Sequence, residues 1–336
     1  MPAFPKILRV ESGLLSMQEF YGGPKVQLLD VHSHTPRVFR KIEKLLRLEI
    51  FLAIEAKKME SRCDIVWAGS EKEGIPLSFM GLRKPLVVIA HHMASPLKAR
   101  FAHLAGILTK WSGIGYISDE GKDFIIQYFG VEPGKLFQYE SSKYLEIANY
   151  YTKSSDGPII SVGVAKRDYP TLIKALAGLH GYDTELFVSS KFGDRIQNPI
   201  KDSLPAWVNL AGWLSDHELL MRYAGARFIV VPLQQTTHDG AGINAVLEAS
   251  AFGKAVIATH TGGMPTFVKD GQTGILVPPY DVDAWQEAIQ LLWTNPELAN
   301  QMGVAGRSYI EKRFNPSEVD AKISAFLINL FANQRK

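Results

Sequence analysis

Residues 228–279 read FIVVPLQQTTHDGAGINAVLEASAFGKAVIATHTGGMPTFVKDGQTGILVPP. A short Val/Ile-rich run at 228–231 leads into a polar, glycine-containing loop, and a segment of helical period follows over 243–252. A second Val/Ile run at 255–259, a second glycine-rich crossing (Thr259-His-Thr-Gly-Gly-Met-Pro265), the turn Asp270-Gly-Gln-Thr-Gly274 and a short strand at 275–277 complete the stretch. Short apolar strands alternating with helical segments are the pattern of a parallel sheet covered by helices on both faces. A glycine-rich loop feeding a helix presents free backbone N–H groups and the positive end of the helix dipole, which suits a phosphate. Gly242, Ile243 and Asn244 are the candidate donors; the alternative is a tight turn that merely needs glycine. Glu248 follows on the same helix, where a carboxylate can accept two hydrogen bonds from the vicinal hydroxyls of a ribose.

The same alternation runs nearly from end to end, with strands expected at 6–10, 65–68, 86–90, 115–118, 159–162, 185–189 and 208–211. The polar stretch YTKSSDGP at 151–158 interrupts it just before a fresh strand, so a domain boundary is expected there, with an N-terminal domain over 1–155 and a second domain beginning at 156. A chain of 336 residues, 46% hydrophobic, is large for one core. The expected fold is α/β, two doubly wound Rossmann-like domains facing across a cleft that holds the ligand.

Composition narrows the function. The single cysteine, Cys63, excludes an internal disulfide and a paired-cysteine zinc site. Residues 1–155 carry 21 Lys/Arg against 16 Asp/Glu and the remainder 16 against 18, too small an imbalance for a dedicated nucleic-acid binder. The first half could still meet an anionic substrate or an acidic membrane surface. No run reaches the ~18–20 apolar residues of a membrane span, and MPAFPKILRVESG lacks the apolar core of a secretion signal, so a cytoplasmic protein is expected.

The strings GAG (240–242), LEA (247–249), FGKAVIAT (252–259), GGMP (262–265), DGQTG (270–274) and PYD (279–281), with ISVG (160–163), DYPTLI (168–173) and LAGW (210–213), resemble the retaining GT-B glycosyltransferases of family four. The resemblance covers roughly residues 157–330. It implies a nucleotide-sugar domain over 156–316, a final helix in 317–336 returning to the first domain, and a UDP- or GDP-linked sugar as donor substrate with no cofactor and no metal. The acceptor it implies is a glycan, a lipid or a small molecule. Arg167 takes the place of the family's lysine beside the donor pyrophosphate, with Lys166 as a second cation where the family's usual arginine is Val164. The family spaces two glutamates with seven residues between them. Counting back from Glu248 lands on Gly240, with Asp239 one position early, at a loop tip expected to face solvent. Asp239 or the backbone of Gly240 would hold the sugar hydroxyls.

The first half matches less fully. Gly22 and Gly23 stand where the family's glycine pair approaches donor phosphate, Trp67 occupies a histidine position, and His91 aligns with the histidine that borders the donor sugar. The alternative reading of His91 is a strand-end cap that faces water. The motif Leu29-Asp-Val-His-Ser-His34 has the HxH pattern of metal-dependent hydrolase barrels, with Asp64, His91 and His92 as further ligands, but a closed ring needs eight strand-helix units. Asp281-Val-Asp283 reads as a helix N-cap with a first-turn acid, without metal. The basic, amphipathic stretch 36–62 reads as a core-packed helix, the other reading being peripheral contact of the first domain with a membrane.

Overall fold

The computed structural model describes residues 5–10, 26–29, 43, 46, 48–188, 204–212, 214–237 and 239–334. The chain forms two compact units, Met1–Glu140 with Ser317–Lys336, and Ser141–Pro316.

In the first unit, β1 (Ile7–Val10), β2 (Val26–Leu29), β3 (Ile65–Ala68), β4 (Leu86–Ala90), β5 (Gly113–Tyr116) and β6 (Leu136–Gln138) form one sheet of order β2-β1-β3-β4-β5-β6, every pair parallel. Helices α1 (Ile50–Met59), α2 (Glu71–Leu77), α3 (Pro96–Leu104) and α4 (Asp119–Phe129) lie between these strands in the chain. Strands β1, β3 and β4 are buried at every position, which is why they read as unbroken apolar runs. β5 begins two residues earlier than expected from sequence. Glycine weakens a strand in a sequence reading, yet Gly113 and Gly115 are strand residues because a Cβ there would stand 2.5 Å from Phe326 and 2.4 Å from Ile89.

The second unit contains β7 (Ile159–Val162), α5 (Tyr169–Ala177), β8 (Thr184–Phe187), β9 (Val208–Ala211), α6 (Asp216–Gly225), β10 (Ile229–Val231), α7 (Ile243–Ala251), β11 (Val256–Thr259), α8 (Met264–Phe267), β12 (Gly274–Val277), α9 (Val282–Thr294) and α10 (Pro296–Arg313). Its sheet order is β12-β11-β10-β7-β8-β9, again all parallel. The order reverses between β7 and β10, and crevices at such a switch point, beyond the carboxyl ends of the strands, are where open α/β sheets bind ligands. Ser215 and Glu218 form a capping box at α6, and Asp281 Oδ1 accepts the Ala284 N–H at 2.9 Å to cap α9.

The units divide after Glu140, fifteen residues before the boundary expected from the sequence after residue 155. Residues 141–155 belong with the second unit: the Ser142 N–H donates to Phe314 O at 2.8 Å, Lys254 Nζ donates to Ser154 O, and the Tyr151 ring lies 5.6 Å from Phe252. The final helix, α11 (Pro316–Asn333), sets Phe326 4.8 Å from Phe137 in the first unit. Two open sheets overturn the closed-barrel hydrolase reading. The stretch 36–62 is not one helix: the chain breaks at residues 48–49, where Glu43 Oε1 accepts the Phe51 N–H at 2.7 Å, and α1 begins afresh. No helix among the described residues is long and apolar enough to cross a membrane.

Candidate functional site

Two loops meet at the switch point of the second sheet. The loop after β7 carries Lys166, Arg167 and Asp168, and the loop after β10 runs from Pro232 to Gly242. They are stitched by backbone hydrogen bonds, Asp168 N–H to Pro232 O at 3.1 Å and Gln234 N–H to Lys166 O at 2.9 Å, with a bridge between Arg167 and Leu233. From the other side Thr259 Oγ1 accepts the Leu233 N–H at 2.8 Å and Thr261 Oγ1 the Thr236 N–H at 2.8 Å, while the Tyr280 hydroxyl accepts the Gln235 N–H at 3.1 Å. The loop is thereby fixed before any ligand arrives.

Arg167 folds back over its own turn. Nε and Nη2 donate to Val162 O at 3.1 and 2.7 Å, and Nη1 to Ala165 O at 3.2 Å. Each of its three nitrogens thus donates to a carbonyl of its own turn, and the guanidinium also faces the Tyr169 hydroxyl. Gly163 makes this posture available, with φ at +107° and a would-be Cβ 2.7 Å from Arg167 Nη2. Burial lowers the Arg167 pKa, with Tyr169, Tyr223 and Glu248 opposing, and a guanidinium stays cationic throughout the physiological range. The neighbouring Lys166 side chain is exposed, and its backbone is left-handed at φ +58°.

Helix α7 starts at Gly242, whose φ of +78° turns the chain into the helix and where a Cβ would stand 2.9 Å from Val231 Cγ1. No side chain caps this end. The first turn of the helix begins with Ile243, buried, and Asn244, exposed, whose N–H groups have no partner within the helix. Glu248 sits one turn further on, 8% exposed, its carboxyl pushed up to about 7. Burial is the main cause; Tyr223, Lys143 and Arg167 pull the other way and Asp216 adds to the rise. The fully buried Tyr223 hydroxyl faces this carboxylate without closing a hydrogen bond of ordinary geometry. Tyr144 is pushed up to about 12 by burial and by Glu248. Asp239 is not at a solvent-facing tip: it is 7% exposed. Gly240 follows it, half-buried, in the turn before α7.

In the first unit His91 lies at the end of β4. Its backbone N–H donates to Glu71 Oε2 at 3.1 Å, and its Nε2 donates to Gly69 O at 3.0 Å. Lys98 Nζ pairs with Glu71 Oε1 at 2.6 Å. Burial alone would raise the Glu71 carboxyl; Lys98, with a smaller contribution from His91, holds it below the usual carboxylate range. Glu71 and Lys98 escaped the sequence reading because they lie 20 and 7 residues from His91 with no motif to join them. Tyr223 and Lys143 escaped it likewise beside Glu248. Gly22, Gly23, His32 and His34 lie outside the described residues. Among the described residues no three His, Cys, Asp or Glu side chains gather as a metal site, and Asp281 acts as the N-cap.

Two parallel doubly wound sheets, with a half-buried arginine and an uncapped helix end at the switch point of the second, define a protein of the GT-B fold. Residues 152–309, most of the second unit, match the family of glycosyl transferases group 1. The D-inositol 3-phosphate glycosyltransferase of Thermobifida fusca is 32% identical over 109 residues, 32% of this chain and 24% of that protein. A GDP-mannose-dependent alpha-(1-6)-phosphatidylinositol monomannoside mannosyltransferase of Mycobacterium tuberculosis is 32% identical over 123 residues, 36% of this chain and 32% of that protein. The chain thus spans about a quarter to a third of the length of these curated relatives. Among solved structures, sucrose-phosphate synthase from Thermosynechococcus elongatus superposes with a TM-score of 0.70 at 21% identity over 92% of this chain and 84% of its own. Anabaena HepE in complex with UDP-glucose gives 0.69 at 16% identity over 97% and 100%.

Proposed function

We propose that the chain transfers a sugar, with retention, from a UDP- or GDP-linked donor to a glycan, lipid or small-molecule acceptor. The observation that carries this reading is the pairing of the Arg167 cation and the uncapped N-terminus of α7 at one switch point. Both stabilise negative charge, and the negative charge of this reaction grows on the departing diphosphate. In this reading the Arg167 fork and the N–H groups of Gly242, Ile243 and Asn244 hold the diphosphate, and Lys166 screens it from solvent. Glu248 accepts from the ribose hydroxyls. Asp239 or the backbone of Gly240 meets the sugar. The departing phosphate takes the acceptor's proton on the face it leaves, so the protein supplies no nucleophile. No metal is needed, since cations of the chain itself do the clamping.

The test is a thermal-shift series with UDP, GDP, ADP and their sugars, in which a ligand at 100 times its dissociation constant adds about 2.7 kcal/mol of stability. A shift with UDP or GDP, and with the sugar of the same base, supports a donor site; no shift with any of them overturns it. The glycine at 240, where the family keeps a glutamate, favours one second reading, a nucleotide-binding subunit without turnover. Release of free nucleotide from a bound donor when acceptors are added separates the two.

A further inference from the structure

Helix α3 buries Ala99 and Ala102 against its unit, at 3% and 0% exposure. On the opposite side, spaced four and three residues apart, stand Leu97, Phe101 and Leu104, exposed by 85%, 51% and 76%. Phe79, 56% exposed, extends this ridge, its ring centroid 6.4 Å from that of Phe101. Single exposed apolar residues are ordinary, but a contiguous row of four directed away from the core marks an interaction surface.

Charge identifies the partner. From residue 74 to residue 118 the sequence contains no Asp or Glu, against five Lys/Arg: Arg83, Lys84, Lys98, Arg100 and Lys110. Lys110 lies 4.7 Å over the Phe79 ring, and Arg83, Arg100 and Lys110 are exposed. Two carboxylates reach the segment. Glu71 pairs with Lys98 and Glu60 accepts the backbone N–H groups of Arg83 and Lys84; both are buried, so neither offsets the exposed cations. An outward ridge of Leu and Phe with cations at its base and no acid within its own segment fits a layer that is apolar beneath and anionic above. Arg and Lys stems can lie along such a layer with their charges in the headgroups. Pairing with a second copy would set two groups of cations against each other with no exposed carboxylate on this segment to bridge them.

We propose that α3, with Phe79, docks on an anionic lipid bilayer. This assigns membrane contact to residues 79–110, not to the basic stretch 36–62, and it does not rest on the donor site of the second unit. The test is co-sedimentation with vesicles of equal parts phosphatidylcholine and phosphatidylglycerol, set beside phosphatidylcholine alone. The protein should partition onto the mixed vesicles, weakly or not at all onto the neutral ones, and less at raised salt. The double variant Leu97→Ser with Leu104→Ser, at two exposed positions, should keep its melting temperature and its nucleotide thermal shift while partitioning at least tenfold less. The proposal is overturned if the protein ignores the mixed vesicles or if the double variant partitions equally. It is also overturned if the variant instead abolishes a concentration-dependent dimer seen in sedimentation velocity. A missing nucleotide shift in both proteins would sink the donor reading and leave the vesicle result standing.

Discussion

The loops after β7 and β10 in the second unit, and the ends of β3 and β4 in the first, both gather charged side chains at the carboxyl ends of parallel strands, but they are held differently. In the second unit the support is mostly backbone and hydroxyl: Arg167 rests on the carbonyls of Val162 and Ala165, and Thr259, Thr261 and Tyr280 take the N–H groups of one loop. In the first unit it is ionic, with Glu71 shared between Lys98 and the His91 backbone. A backbone-held site keeps its shape when pH changes; a site held by a buried ion pair depends on a carboxylate staying charged.

Replacing the arginine should hit hardest. Arg167→Lys keeps the charge and loses the planar fork, and affinity for UDP-glucose is expected to fall about ten- to hundredfold, as for charge-assisted hydrogen bonds of about 1.5–3 kcal/mol. An unchanged affinity by calorimetry would show that the fork serves only its own loop. Glu248→Gln should follow, with at least tenfold weaker binding of UDP-glucose, equivalent to ~1.4 kcal/mol. This residue also makes the second unit respond to pH. Its folded pKa of about 7 lies above the ordinary 4.5, so its contribution is fully present below about 4.5 and is lost as pH rises to about 7. Denaturation of Glu248→Gln across that window should lose this slope, and a parallel profile would mean that another group causes it.

Gly163→Ala should lower stability by about 1–3 kcal/mol, through a left-handed φ and a clash with Arg167, and should weaken donor binding with it. Glu71→Gln tests the first unit. Its folded pKa is depressed, so the wild-type contribution is present above about 4.5 and lost as pH falls, and the variant should be less stable by about 1–3 kcal/mol at neutral pH with UDP-glucose affinity unchanged. A loss of affinity there would break the separation between the two regions. The smallest effect is expected from chelation: EDTA should leave UDP-glucose affinity where it was, and loss with recovery on adding zinc would reopen a metal role for His32 and His34.

The sequence by itself determined the strand-helix alternation, the glycine loop before α7, the N-cap at Asp281, and Arg167 and Glu248 as charged candidates, because each depends on residues within one or two turns of each other. Periodicity and glycine conformation are local physics. It could not show that Asp239 is buried, that the stretch 36–62 breaks before α1, or that 141–155 packs with the second unit through Phe314 and Lys254. Nor could it show that Tyr223 faces Glu248 or that Glu71 links His91 to Lys98. Only the tertiary structure decided these, because burial and the field around a titrating group come from side chains brought together across tens of residues, a distance over which spacing along the chain carries no information.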